Sequence, residues 1–335
     1  MNDPTHPDQG VVAARPELGG GAATPSFGLP AHAPSGIPGP AAPLRIGPAR
    51  FAWGTRTFVM GILNVTPDSF SGDGLLARNG KAPAADPVHR AVATGRRMAD
   101  EGADLLDVGG ESTRPGHEVV AEADEIGRIV PVVRALRAAL PGMALSVDTT
   151  KVGVAEAALD AGAHLVNDVH GIDPDGDLLR LVADRGLPIV LMHSRAEARY
   201  ANLLAEVIAD LQRSIERAVR HGIAWDSIVV DPGFGFGKTP AHNVWLLHEL
   251  ASLRVLGRPI LLGTSRKSTL GKVLDLPADE RVEATIATTA LGIAAGVDIV
   301  RAHDVGPNVR AARRADAIVR GTWPPAADPT EGTAR

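Results

Sequence analysis

The chain has 335 residues, a formal net charge of -5 and only 3% aromatic residues, which excludes recognition of a polyanion by the whole surface and argues against single-strand nucleic-acid binding by base stacking. Cysteine is absent, so there is no disulfide framework, no thiolate nucleophile and no cysteine-ligated metal. No apolar run approaches the roughly 20 residues that span a bilayer and the N-terminus lacks a basic-then-apolar signal pattern, so a cytoplasmic protein without membrane contact is expected.

Residues 1–45 are rich in Pro, Gly and Ala, with neither helical nor strand period. Such a stretch cannot bury enough apolar surface to offset its ordering entropy, and a disordered tail is expected. Residues 46–322 are expected to form one domain, and residues 323–335 a flexible C-terminal tail. From about Thr57 short apolar runs alternate with longer segments of helical period, the signature of successive βα units and a parallel sheet. The runs are Phe58–Leu63, Leu105–Val108, Ala144–Val147, Leu165–Val166, Ile189–Met192, Ile228–Val230, Ile260–Leu262 and Ile299–Val300. Helices are predicted over Pro87–Glu101, Ala121–Leu140, Val152–Ala161, Leu178–Arg185, Leu203–His221, Ala241–Leu256, Arg281–Ala295 and Val309–Val319. Eight such pairs in about 265 residues match a TIM (β/α)8 barrel in count and size; a doubly wound open sheet is the alternative, since periodicity does not show closure.

Almost every run is followed at once by polar side chains: Asn64, Glu111–Arg114, Asp148, Asn167 with Asp168, His193, Asp231, Ser265–Lys267, and Arg301 with His303. These are the C-terminal strand ends, where a βα-barrel gathers its active site. Helix capping explains one or two of them but not a ring of acids, amides and cations. After the second run, Gly109-Gly110-Glu111-Ser112-Thr113-Arg114-Pro115-Gly116 brackets an acid, two hydroxyls and an arginine with conformationally special residues, the composition of a ligand-contacting loop. Asp148 and the Asn167-Asp168 pair end neighbouring strands. A carboxylate there can accept two parallel hydrogen bonds from an aminopyrimidine edge; general acid–base work and metal ligation are equally open. Asp231-Pro232-Gly233-Phe234-Gly235-Phe236-Gly237-Lys238 has neither the phosphate-loop nor the dinucleotide spacing; its glycines suit a sharp turn beside a planar ligand. The cations of Ser265-Arg266-Lys267-Ser268 and Arg301-Ala302-His303 follow the last two strands, the frequent phosphate position of this fold. His193 serves as readily in the core as on a ligand.

Taken in order, Asn64-Val65-Thr66-Pro67-Asp68-Ser69-Phe70-Ser71, Gly109–Gly116, Asp148-Thr149-Thr150-Lys151, Asn167-Asp168, Met192-His193, Asp231–Lys238, Ser265–Ser268 and Arg301–Val305 resemble the motifs of the dihydropteroate synthases, over roughly residues 45–320. The resemblance implies a pterin-binding TIM barrel that joins 6-hydroxymethyl-7,8-dihydropterin diphosphate to p-aminobenzoate, giving 7,8-dihydropteroate and diphosphate in folate synthesis. By similarity, Asp148, Asn167, Asp231 and Lys267 hold the pterin. Asn64, Arg114, Arg301 and His303 serve the diphosphate, with Asn64 on Mg²⁺. Thr113, Pro115 and Ser268 form the p-aminobenzoate site, where sulfonamides compete. Asp148, Lys267 and Arg114 are the expected catalytic residues of an SN1-like displacement, and a homodimer is implied. Two loops depart from the family pattern: Ser194–Tyr200 lacks its Gly, Pro and Met-Gln, and Ser71-Gly72-Asp73-Gly74 replaces the usual Ser-Asp-Gly-Gly. The competing expectations are a corrinoid-linked methyltransferase that shares the pterin acids, and a catalytically silent pterin-binding homologue.

Overall fold

The computed structural model describes residues 39–66, 86–111, 119–169, 176–274, 277 and 280–321. Its first elements were not anticipated. Leu44–Ile46 (β1) and Ala49–Phe51 (β2) pair antiparallel, with Leu44 opposite Phe51. Gly47 turns this hairpin in the left-handed region, at φ 54°.

Eight parallel strands follow: Phe58–Asn64 (β3), Leu105–Gly109 (β4), Ala144–Asp148 (β5), Leu165–Asp168 (β6), Ile189–Met192 (β7), Ile228–Asp231 (β8), Leu261–Leu262 (β9) and Ile299–Ala302 (β10). They are hydrogen-bonded in the order β8-β7-β6-β5-β4-β3-β10-β9, and a bridge between Val230 and Ile260 joins the two ends. The sheet is therefore a closed barrel, the expected TIM fold. Both faces of such strands are buried, which is why they read as apolar runs.

The helices lie where 3.6-residue periodicity placed them, with ends set by local chemistry. Pro87–Asp100 (α1) starts with proline in its first turn and Asp86 accepting from the Val88 amide, and both features suit a helix N-terminus. Glu122–Ala139 (α2), Val152–Asp160 (α3), Asp177–Asp184 (α4) and Leu203–Arg220 (α5) follow their strands. The single helix predicted over Ala241–Leu256 is instead Pro240–His248 (α6), opened by a Thr239–His242 capping box, and then a 3₁₀ segment, Leu250–Leu256. Ser268–Leu274 (α7) was not predicted. Val282–Ala294 (α8) and Val305–Val319 (α9) complete the set; the last begins four residues before the expected Val309.

Successive strand residues point to opposite faces, and this sorts the barrel interior into layers. The lowest layer is apolar: Met60, Leu105, Ala144, Leu165, Val190, Val229, Leu261 and Ile299 cluster with Leu44, Ile46, Phe51 and Trp53. Phe51 packs its ring 4.7 Å from Phe58 and 5.6 Å from Trp53, so the hairpin plugs the N-terminal mouth with aromatic contacts that add to simple burial. Two residues further along each strand stand Ile62, Asp107, Ser146, Asn167, Met192, Asp231, Gly263 and Arg301, and polarity enters the barrel. Above these come Asn64, Gly109 and Asp148.

Candidate active site

The C-terminal mouth is built on two buried carboxylates and the cations between them. Asp148 ends β5, and its Oδ2 accepts from an Arg301 guanidinium nitrogen at 2.6 Å. Burial is the main reason its pKa rises to about 7; Asp107 and Glu125 push the same way, against Arg301 and Lys267. Asp231 ends β8 and is also raised, chiefly by burial, although Lys267 and the Gly233 amide oppose the shift. That amide donates to Asp231 Oδ1 at 2.7 Å. Burial, aided by Arg301, lowers Lys267 to about 8 against the fields of Asp231 and Asp148. Asp148 and Lys267 are thus each close to titrating at neutral pH, a property concentrated at functional sites.

The glycine loop after β8 shapes the space beside them. Gly233 has φ 67°, and a β-carbon there would lie 1.7 Å from the His193 carbonyl oxygen; only glycine fits. The turn brings the Phe234 carbonyl onto Lys267 Nζ, which also lies 4.6 Å from the centre of the Phe236 ring. Beneath the loop, Lys238 Nζ donates to His193 Nδ1 at 2.8 Å and to the Gly233 and Phe236 carbonyls at 3.0 Å. With Nδ1 accepting, the His193 Nε2–H faces Asp210 Oδ2 at 3.1 Å, and Arg195 Nε donates to the same oxygen at 2.9 Å. Burial, helped by Lys238, lowers the imidazole to about 4. His193 is a neutral core residue that supports the loop. Tyr200 covers the same network and donates to the Gly237 carbonyl at 2.8 Å, so the atypical Ser194–Tyr200 segment is anchored through Arg195 and Tyr200.

Asn64 is half-buried at the tip of β3. A β-carbon on Gly109 would lie 3.7 Å from both its Oδ1 and Asp148 Oδ2, so glycine at 109 leaves the space between an amide and a carboxylate open. Asn167, on β6, donates to Asp107 Oδ2 at 2.9 Å. His303 pairs through Nδ1 with Ser265 Oγ at 3.0 Å, and Ser268 is exposed at the start of α7. The cation cluster expected after the last two strands is less free than its sequence implies. Arg266 is turned onto Asp304 in a two-pronged pair at 2.7 and 3.1 Å, and Arg301 lies on acids. Thr113, Arg114 and Pro115 lie outside the described residues. Glu111 is described, and Lys151 bonds it while donating to Glu125 at 2.6 Å and to the Val120 carbonyl at 2.7 Å.

The sequence reading passed over Asp107. It is completely buried, and its Oδ2 also accepts from Arg301 Nε at 2.6 Å. The signal was present: an acid in the middle of Leu105-Leu106-Asp107-Val108, on the inward side two residues from Leu105.

For Mg²⁺, no group of three or more His, Asp or Glu among the described residues could hold a metal ion. An all-protein cage is therefore missing from those residues, but the amide oxygen of Asn64 at an open strand tip is a hard donor. Mg²⁺ ordinarily takes one or two protein oxygens and completes its shell with water and substrate phosphates. The residues fit the ion in that form.

Residues 60–303 match the family described as pterin binding enzyme. The dihydropteroate synthase of Clostridium beijerinckii is 45% identical over 278 residues, covering 83% of this chain and 100% of that protein. The Bacillus subtilis dihydropteroate synthase is 44% identical over 272 residues, 81% of this chain and 92% of its own. Among solved structures, the Xanthomonas albilineans dihydropteroate synthase with 4-aminobenzoic acid superposes with a TM-score of 0.76 at 41% identity, covering 83% of this chain and 98% of that one. A Clostridium difficile dihydropteroate synthase solved in the presence of pteroic acid gives 0.75 at 44%, over 81% and 99%. With the buried acids, Lys267 and the glycine turn gathered at one barrel mouth, and with relatives this similar matched over nearly their whole length, the chain belongs to the dihydropteroate synthases of the pterin-binding enzyme family.

Proposed function

We propose that this enzyme condenses 6-hydroxymethyl-7,8-dihydropterin diphosphate with p-aminobenzoate, releasing diphosphate and 7,8-dihydropteroate. One observation carries the assignment beyond family membership. Asp148 and Asp231, each buried, face the field of the same Lys267 at the barrel mouth, which suits a flat heterocycle carrying donors on one edge and an acceptor on another. Asp148, Asn167, Asp231 and Lys267 hold the pterin. Arg114, Arg301 and His303 serve the diphosphate, while Thr113, Pro115 and Ser268 form the p-aminobenzoate side.

The displacement is SN1-like. The bond from the pterin methylene carbon to the diphosphate oxygen breaks first, and its electron pair leaves with the diphosphate. The ring delocalises the positive charge; the amine nitrogen of p-aminobenzoate then supplies the new bond and loses a proton. Ionised Asp148, in a site of low effective dielectric, stabilises the cation. Arg114, Arg301 and His303 stabilise the departing charge. Asn64 would hold Mg²⁺, which when bound neutralises phosphate oxygens. No protein nucleophile is required.

A homodimer and a cytoplasmic setting belong to the same proposal, as do a barrel to residue 322 and a short tail over 323–335; the tail expected over residues 1–45 gives way before Leu44, which already belongs to β1. No helix among the described residues is long and apolar enough to cross a membrane. The deciding experiment is Mg²⁺-dependent diphosphate release with and without p-aminobenzoate, with dihydropteroate measured in parallel. Release that accompanies dihydropteroate in equal amounts is expected; no release with both substrates present would overturn the assignment. Binding of the pterin diphosphate without turnover would mark a silent homologue, and methyl transfer from methyltetrahydrofolate to a corrinoid would mark the methyltransferase.

A further inference from the structure

Asp107 lies one layer below the carboxylate assigned to the pterin, and it is the residue through which the floor of the site is organised. Its Oδ2 is shared: Arg301 Nε donates to it at 2.6 Å from β10, and Asn167 Nδ2 at 2.9 Å from β6. Arg301 then reaches Asp148 with a second nitrogen, at 2.6 Å. Four strands are therefore cross-linked through one oxygen atom and one guanidinium. The other side of this cluster is uncompensated. Asp107 Oδ1, Ser146 Oγ and Asp148 Oδ1 are all buried and make no hydrogen bond among the described residues. Asp107 and Ser146 are direct partners in the β4–β5 register, as are Gly109 and Asp148 one step above, so the three atoms line one wall of the barrel interior. Buried acceptors without donors are costly. A wholly buried acid in an apolar strand is not explained by stability either, because a packed apolar group would serve as well or better.

We infer that Asp107 is a positioning residue for the condensation: it fixes Arg301 and Asn167 in register with Asp148 so that the pterin meets a preset hydrogen-bonding edge. A carboxylate is required because two donors from different strands converge on a single oxygen, one of them cationic. An asparagine offers a neutral acceptor and an amide that must turn away from Arg301. Asp107 also acts on Asp148 directly by placing a negative charge beside it; the other charged neighbours of Asp148 are Arg301 from β10, Glu125 from α2 and Lys267 from the β9–α7 loop.

The inference rests on the synthase assignment, and the two can fail separately. If the wild-type enzyme releases no diphosphate with both substrates, the assignment falls. If it does, Asp107→Asn is the test. The expected result is a folded protein whose kcat falls about 10²-fold. The KM for p-aminobenzoate should change less than threefold, and the acid limb of the kcat/KM profile should move to lower pH as a negative neighbour of Asp148 is lost. A purely structural role would lower the melting temperature and leave that limb in place. In an Arg301→Met background the same substitution should cost less than tenfold, since the two act as one unit. Equal losses in both backgrounds, or wild-type kcat and pH limb in a folded Asp107→Asn, would overturn the inference. If the variant does not fold, the wild-type enzyme still decides. The Arg301 Nε–H should exchange with solvent at least 100-fold more slowly than those of exposed arginines. Exchange at the exposed rate would sink the proposal.

Discussion

The two mouths of the barrel are made from the same eight strands, yet they follow opposite rules. At the N-terminal mouth the inward residues are apolar and a hairpin closes the opening with Phe51 and Trp53 against Phe58. The buried cluster there is wholly apolar, and its contacts add burial. Two residues along the same strands, Asp107, Asn167, Asp231 and Arg301 occupy the equivalent inward positions, and burial raises both Asp148 and Asp231. The difference teaches where folding stability and chemistry reside. One mouth gains from exclusion of water, whereas the other gives up stability to hold charges that a ligand can use.

Five experiments break or sharpen that contrast. The largest effect is expected for Asp148→Ala, which should lower turnover on the order of 10³-fold by removing the carboxylate proposed to face the developing cation. Its melting temperature at pH 8 should be no lower than that of wild type; large losses of both would make Asp148 structural. Phe51→Ala should do the reverse, costing about 3–5 kcal/mol of stability as a large ring leaves a packed plug, while kcat at 20 °C stays within twofold. Chemical denaturation with parallel assays checks this, and a matching loss of kcat in the folded variant would erase the distinction between the mouths.

Next comes pH. In the proposed mechanism Asp148, near 7, is ionised and Lys267, near 8, protonated when the pterin binds. The kcat/KM for the pterin diphosphate should therefore be bell-shaped, falling tenfold per pH unit beyond limbs near those values. A flat profile from pH 6 to 9 would remove both groups from the mechanism. The linkage has a definite direction. Because the folded Asp148 pKa of about 7 lies above the ordinary 3.8, the native state holds that proton more tightly, so this group costs stability as pH rises from about 4 to 7. Asp148→Asn should escape that cost and gain relative stability across the same window. The smallest effect belongs to Arg56→Ala. Its half-exposed guanidinium pairs with Asp104 at 2.6 Å beside the lower mouth, and such a surface pair contributes about 0.2–1 kcal/mol. A larger cost would assign a structural role to the arginine's 4.2 Å stacking on the Phe58 ring.

Much of this was legible in the residues. Parallel strands buried on both faces leave apolar runs, and polar strand ends follow them at once, so the barrel and most of its mouth could be placed by position. The plug could not, because Leu44–Phe51 is too short for a period to show and its Gly47-Pro48 turn blends into the Pro- and Gly-rich stretch before it. Helix α7 is only seven residues long and starts inside the loop that carries Lys267, so it offered no stripe of its own. Asp107 was hidden by treating its strand as a uniform apolar run rather than by the alternation of its faces. Pairing was out of reach for a different reason. Arg301 meets Asp107 across 194 residues and Asp148 across 153, while Arg266 turns to Asp304 rather than to a ligand. Which cation neutralises which acid is decided by barrel closure, and no local pattern encodes it.

Closure itself is uneven. The β3–β4 joint has five paired positions, whereas β8 and β9 meet through the single Val230–Ile260 bridge. Pro259 has no amide hydrogen to contribute there, its carbonyl accepts from Val230 at 2.9 Å, and the Ile260 amide is taken by the Asp298 side chain at 3.0 Å. Asp231 follows directly on one lip of that seam, and the loop bearing Lys267 leaves from the other. A heterocycle gripped by both residues works as a clasp across the weakest stitch of the cylinder, so filling the site should slow amide exchange at Val230 more than at any amide of the β3–β4 joint.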